Sequence, residues 1–199
     1  MRNLRAIALL LTPLMGCYAQ LENPSVTMTH PLCPAGTDCV PGGSSSLSVI
    51  QVSGTNTFVV DFGDQPLLQS SSEIGPATVK TSLILNQALF DMTTSGADFT
   101  GVNTIQLLSA PRESTGPGDD PCAPPTSCPI LAAYDSSTDG TANQRIVLRG
   151  NGSDLISLID PTTHRLVIEI QASGQAPSPP LWSADVSMDM ALTSRADFP

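Results

Sequence analysis

Positive charge, aromatic rings and histidine are all scarce in this sequence. Eight basic residues stand against eighteen acidic ones, and Lys80 is the sole lysine. A balance of that sign repels polyanions and leaves nucleic-acid binding without its electrostatic footprint. With only His30 and His164 in the chain, a serine or cysteine nucleophile has few bases to draw on, and no G-x-S-x-G elbow occurs. Aromatic residues make up 4% of the chain and Trp182 is the only tryptophan, so a core must be built from Leu, Ile and Val. No apolar run reaches the roughly 20 residues a membrane-spanning helix needs.

What is present begins at the N-terminus. Met1-Arg2-Asn3-Leu4-Arg5 is a short basic segment, followed by the apolar run Ala6 to Met15 and then Gly16-Cys17. Charge followed by a short apolar run is the layout of a secretory signal. The ending Leu14-Met15-Gly16-Cys17 resembles the lipobox of bacterial lipoproteins. The resemblance implies cleavage before Cys17, thioether attachment of diacylglycerol to its sulfur, and fatty acyl chains such as palmitate holding the protein on a membrane. In enteric bacteria, similar lipoproteins with no aspartate directly after the cysteine usually go to the outer membrane, and Tyr18 fits that pattern. Cleavage would leave six basic residues against eighteen acidic ones, a formal charge of −12, which disfavours adhesion to anionic head groups. Membrane contact is therefore expected through the lipid on Cys17.

The cysteine count agrees. Five is an odd number for an exported protein unless one thiol is otherwise occupied. Without Cys17, four remain as two pairs with five intervening residues each: Cys33 with Cys39, and Cys122 with Cys128. Four cysteines allow three connectivities, and short local loops close readily, so these two local disulfides are expected. Zinc fits poorly, since structural zinc sites draw on closer Cys-x-x-Cys spacing, and an oxidising compartment favours disulfides.

Residues 1–16 thus read as signal peptide, 17–46 as a flexible low-complexity tether rich in Pro, Gly, Ser and Thr, and 47–199 as one domain. A coil of that length would reach roughly 30 Å on average. After Leu47, alternation at period two dominates and marks half-buried strands. Leu47–Val52 and Thr57–Phe62 read as a hairpin across Ser53-Gly54-Thr55-Asn56. Further strands are expected at Thr78–Leu85, Ala88–Thr93, Asn103–Leu108, Ile130–Tyr134, Gln144–Leu148, Arg165–Ala172 and Ser183–Thr193. One short helix is expected at Ser153–Asp160, capped by Ser153 and stopped by Pro161, and a weaker turn at Ala97–Val102. This inventory predicts an antiparallel β-sandwich, Ig-like or related, with a closed β-barrel as the alternative. The stretch Pro111–Pro129 is a long loop, and loops of this length are functional or disordered more often than not.

Candidate chemistry is thin. His30 falls in the tether and His164 in a turn. The acids lie at strand ends, in turns, or at outward positions such as Asp185 and Asp189, the pattern of a solvated face. Asp135-Ser136-Ser137-Thr138-Asp139-Gly140 resembles the opening of an EF-hand calcium loop, but Ile146 stands where its twelfth-position glutamate belongs, and Asp-Gly is a turn signal in its own right. Asn151-Gly152-Ser153 likewise reads as a turn. The reading is a lipid-anchored, non-enzymatic binding or envelope-structural domain without a cofactor, whose partner is an envelope protein or surface ligand. The alternatives are an envelope hydrolase using loop carboxylates or a calcium-dependent binding module.

Overall fold

Period-two alternation in the sequence becomes an antiparallel sheet in three dimensions. A computed structural model of the chain describes residues 18–22, 25–43, 45–63, 73–74 and 77–197. The signal segment and Cys17 lie outside the described residues. The strands are β1 (Tyr18–Glu22), β2 (Val26–Pro31), β3 (Val40–Pro41), β4 (Thr57–Asp61), β5 (Glu73–Ile74), β6 (Ala77–Met92), β7 (Val102–Ser109) and β8 (Ile130–Asp135). After the four-residue helix α1 (Ser136–Asp139) come β9 (Arg145–Gly150), β10 (Arg165–Gly174), β11 (Leu181–Trp182) and β12 (Ala184–Asp197). The main sheet runs β1-β12-β6-β9-β8-β7-β10-β4, with β2 also on β12 and β5 on β6, and β3 pairs with β11 separately.

The sheet curls until its two ends meet. The Ser53 amide donates to the Leu32 carbonyl at 2.7 Å, and the His30 ring of β2 stacks on Phe58 of β4 with centroids 4.6 Å apart. One continuous apolar core fills the curl, with Phe90, Ile105, Ile146, Ile168 and Trp182 fully enclosed. Trp182 contacts Phe99 edge-on at 5.9 Å and donates its indole N–H to the Pro41 carbonyl. In β12, Val186, Met188, Met190 and Leu192 are buried while Asp185, Ser187, Asp189 and Thr193 are only partly covered. That is the alternation expected of it.

Four expectations need correction. The region 17–46 is not a flexible tether where it is described. Val26–Pro31 pairs in register with β12 from Asp185↔Pro31 to Met190↔Val26, and Leu32, Cys33 and Val40 are buried in the core. The domain therefore begins well before residue 47. The physical reason is that β12 has two edges to satisfy, β6 takes one, and an extended polar chain can satisfy the other with backbone groups alone.

Segments 47–52 and 57–62 do not form a hairpin. Both lie along the same edge of β10, through Ala172 N–H to Ser48 O and Ile50 N–H to Ile170 O, then through Thr57↔Glu169 to Asp61↔Arg165. The turn residues between them, Ser53 at φ 50° and Gly54 at φ 85°, form an excursion and not a reversal. The third correction merges 78–85 and 88–93 into the single strand β6, with a register shift against β12 near Asn86. A two-residue polar interruption is absorbed as a bulge. The fourth concerns the helix, which shrinks to a 3₁₀ turn at Leu155–Leu158 capped by Asp154 and not Ser153: its carboxylate accepts from Ile156 N–H.

Candidate functional site

The long insert after β7 is the part of the chain that the sheet itself does not require. It leaves β7 as Ala110 N–H donates to Val167 O, and it returns as Pro129 O accepts from Ser109 N–H. Between those points it folds back across the outer face of the β7-β10-β4 layer. Leu108, Ala110 and Cys122 form a small second cluster there, with Cys128 and Val167 against it.

Ser114 joins the insert to the body. Its amide donates to Thr57 Oγ1 at 2.8 Å, its hydroxyl receives the Asn56 amide at 3.3 Å, and Asn56 Nδ2 donates to Asp119 O at 3.0 Å. Asp119 organises the insert's tip. Arg112 grips its carboxylate with two nitrogens at 2.6 and 2.7 Å, and Thr115 N–H donates at 2.8 Å. The guanidinium first, and the Thr115 amide second, hold the Asp119 carboxyl far below the usual carboxylate range.

Glu169 is the functional candidate that the sequence reading missed. It stands on the outer side of β10, where a charged residue would normally meet water, yet it has no solvent exposure. The insert covers it. Its Oε2 accepts the Cys122 amide at 3.2 Å and its Oε1 accepts from Gln171 Nε2 at 2.9 Å. The Asp120 carboxyl approaches from the insert and itself accepts from Cys122 N–H. Burial first, with the Asp120 charge and carboxyl contact adding to it, raises the Glu169 carboxyl above its ordinary value, while the bonds from Gln171 and Cys122 offset part of the shift. A charged residue in an otherwise apolar strand, next to an uncommonly long loop, was the available signal.

Beside the insert lies a cleft of about 540 Å³. Its walls are the two arms of the insert and the 157–167 segment, and they carry Arg112, Glu113, Asp160 and Arg165 together with the hydroxyls of Ser127 and Thr163. Both arginines are engaged, Arg112 with Asp119 and Arg165 with Asp61. Asp160 accepts from Thr162 N–H and Thr163 N–H, and these amides, the Thr163 one foremost, depress its carboxyl. Glu169 and Asp120 do not line this cleft.

The residues expected from sequence are distributed as follows. Cys33 pairs with Cys39 and Cys122 with Cys128, with Cα separations of 5.6 and 5.5 Å. His30, expected in a mobile arm, is instead half-buried on Phe58, and burial lowers its pKa. His164 sits in a turn at φ 56°, its amide bonded to Asp160 O. In the calcium-like loop, Asp135 caps α1 by accepting from Ser137 N–H, and Asp139 accepts from Asp135 N–H and pairs with Arg149. The carboxylates there already have protein partners. Asn151 to Ser153 is a turn, with Asn151 Oδ1 accepting from Ser153 N–H. Among the described residues, no group of three or more His, Cys, Asp and Glu is placed to hold a metal, and no helix is long and apolar enough to cross a membrane.

The second disulfide clamps the arm of the insert that covers Glu169. A Cys122→Ser/Cys128→Ser variant is expected to lose about 2 kcal/mol by loop-closure entropy. It should also gain protease cleavage between residues 111 and 129. Urea unfolding with limited proteolysis checks both, and an uncleaved insert of parental stability would show that the disulfide is dispensable.

No family model matches the sequence, and no curated protein matches it. Among solved structures, the chain is similar to a BFDV capsid protein in its decameric crystal form, with 14% identity over 90% of this chain and 99% of that one. The TM-score is 0.26, and a likeness of that degree establishes neither fold nor function.

Proposed function

We propose that this chain is a bacterial lipoprotein, anchored to the cell envelope through lipid on Cys17, whose β domain is a non-enzymatic binding or envelope-structural module. The observation that carries the reading is the cysteine pairing: the other four cysteines occupy two disulfides, which leaves Cys17, at the end of the lipobox, as the one cysteine without a partner among them. Two acyl chains on one sulfur supply membrane affinity without any apolar protein surface, because each buried methylene contributes about 0.8 kcal/mol. Tyr18 after the cysteine favours the outer membrane. The curled sheet is read as a sandwich, one layer around β12-β6-β9 and the other around β7-β10-β4, with the His30–Phe58 stack between the layers' edges as support.

The Glu169–Asp120 pair gives the hydrolase alternative no support. Glu169 is buried beneath the insert, and neither Glu169 nor Asp120 lines the cleft.

The test is mass spectrometry of the mature N-terminus together with fractionation of a Cys17→Ser variant. The parent is expected to begin at Cys17 with diacylglyceryl mass and to sediment with membranes, and the variant to appear in the soluble fraction. Equal sedimentation of the two, or a parent without acyl mass, overturns the proposal.

A further inference from the structure

The backbone of the N-terminal region bears on how a lipid anchor would hold the domain. Tyr18, one peptide bond after Cys17, is already paired in the sheet: β1 runs against β12 from Tyr18↔Asp197 to Glu22↔Thr193. Beyond residues 23–24, β2 continues along the same edge of β12 from Met190↔Val26 to Asp185↔Pro31. The chain from 18 to 31 therefore follows one strand of the sheet and enters the body of the domain along it.

The strands it follows extend past the body. β9 pairs with β6 only from Gln87↔Arg149 to Asp91↔Arg145, and the last contact on that side is the Ile84↔Asp154 bridge with Leu83 N–H on the Asp154 carboxylate. Among the described residues, Ala77 to Ser82 of β6 pair only with β12 and β5. The result is a projecting ribbon of strand order β1-β12-β6-β5. Six residues at about 3.3 Å each make it about 20 Å long.

Strand direction then divides the domain into two ends. The ribbon projects from the end where β7 stops at Ser109, β8 starts at Ile130, β9 stops at Gly150 and β10 starts at Arg165. The opposite end gathers the 32–43, 93–101, 136–144 and 175–183 segments, where β2, β6, β8 and β10 finish and β7, β9 and β12 begin. The Cys33–Cys39 disulfide belongs to that opposite end.

We infer that the projecting ribbon is a rigid stalk that joins the lipid on Cys17 to the domain, so that the domain stands upright on the bilayer with the Cys33–Cys39 end turned outward. The inference rests on the lipoprotein reading above and adds to it an orientation. A lone strand would bend, but three paired strands, joined by β5 at Ala77 and Thr78, resist bending as a unit, since each is held by its neighbours' hydrogen bonds. The acidic excess opposes collapse onto anionic lipid. The partner of the stalk's tip is a lipid surface, and the outward loops are the face offered to anything approaching from solvent.

Energy transfer to acceptor-labelled lipid head groups tests it. The full protein, purified from bacterial membranes and reconstituted in phosphatidylethanolamine/phosphatidylglycerol vesicles, carries a donor fluorophore through a genetically encoded azide at Lys80, in the ribbon, or at exposed Ser95, in the outward loops. Twelve residue steps along the strand separate Lys80 from the end of β6 at Met92, about 40 Å. Transfer from the Lys80 site is expected to be at least threefold more efficient than from the Ser95 site. A variant with twenty Gly/Ser residues inserted between Cys17 and Tyr18 should erase most of that difference. If the parent carries acyl mass yet both sites transfer equally, or the parent behaves like the linker variant, the stalk is overturned while the lipoprotein reading stands. If the parent lacks acyl mass, the lipoprotein reading fails and the stalk falls with it.

Discussion

Replacing Gly150 with alanine is expected to cost about 3 kcal/mol of stability, at the upper end of what overpacking produces. Gly150 ends β9 where it leaves β6, opposite the bulge at Asn86. A Cβ built there would stand 1.8 Å from the Leu85 carbonyl oxygen and 2.9 Å from that of Asn86. Those atoms belong to the backbone of a central strand, which cannot turn aside as a flexible side chain would. Relief requires β6 or β9 to move, and both line the main core. Gly118, with nothing within 4 Å of its position, is the control, and its alanine variant should stay within about 0.5 kcal/mol of the parent. Urea unfolding of the two variants decides the matter. A Gly150→Ala protein with the parent's midpoint would mean that the two strands do not approach as described.

Replacing Glu169 with glutamine is expected to stabilise the domain at neutral pH by about 1–3 kcal/mol, the usual range for desolvating a polar group without full compensation. It should also remove a pH dependence. Because the folded state raises the Glu169 carboxyl above its unfolded value, folding favours the protonated form. The contribution is therefore fully present below the ordinary value of 4.5 and is lost as pH rises through the elevated folded value. The carboxylates that folding depresses, among them Asp61, Asp98 and Asp160, act in the opposite sense, with stability present above the unfolded carboxyl pKa and lost as pH falls through the folded one. Above about pH 5 the depressed carboxylates no longer titrate, but His30, whose pKa burial lowers, adds stability as pH rises, so it is the difference between parent and variant that isolates Glu169. Urea midpoints should fall with pH in the parent relative to Glu169→Gln, whose amide can accept from Cys122 N–H and donate to Asp120. Amide exchange at Cys122 should quicken with pH in the parent more than in the variant. A parent with no such slope would show that the insert does not seal Glu169 from water.

These two residues mark the limit of what could be read from the chain. Gly150 is an ordinary strand-end glycine in the sequence, and nothing near it announces that another backbone passes within contact distance. Glu169 sits among Leu166, Ile168, Ile170 and Ala172 at a position that alternation assigns to solvent. Alternation concerns which face of the sheet a residue occupies and is silent on whether a loop later covers that face. The same gap explains the region 25–46. Its composition satisfies every local criterion for a mobile arm, and its strand status depends on an open edge of β12 more than 150 residues away.

Local physics accounts for what the sequence determined by itself: the all-β class, the positions of most strands, the dry and wet faces of β12, and the two disulfides whose short loops favour local closure. Each of these follows from interactions between residues near one another along the chain. Tertiary structure alone decided which strands share an edge, that the presumed tether is part of the sheet, and that the insert buries a carboxyl. Those outcomes turn on which backbone groups remain unpaired once the rest of the sheet has formed, a quantity that no short window of sequence contains.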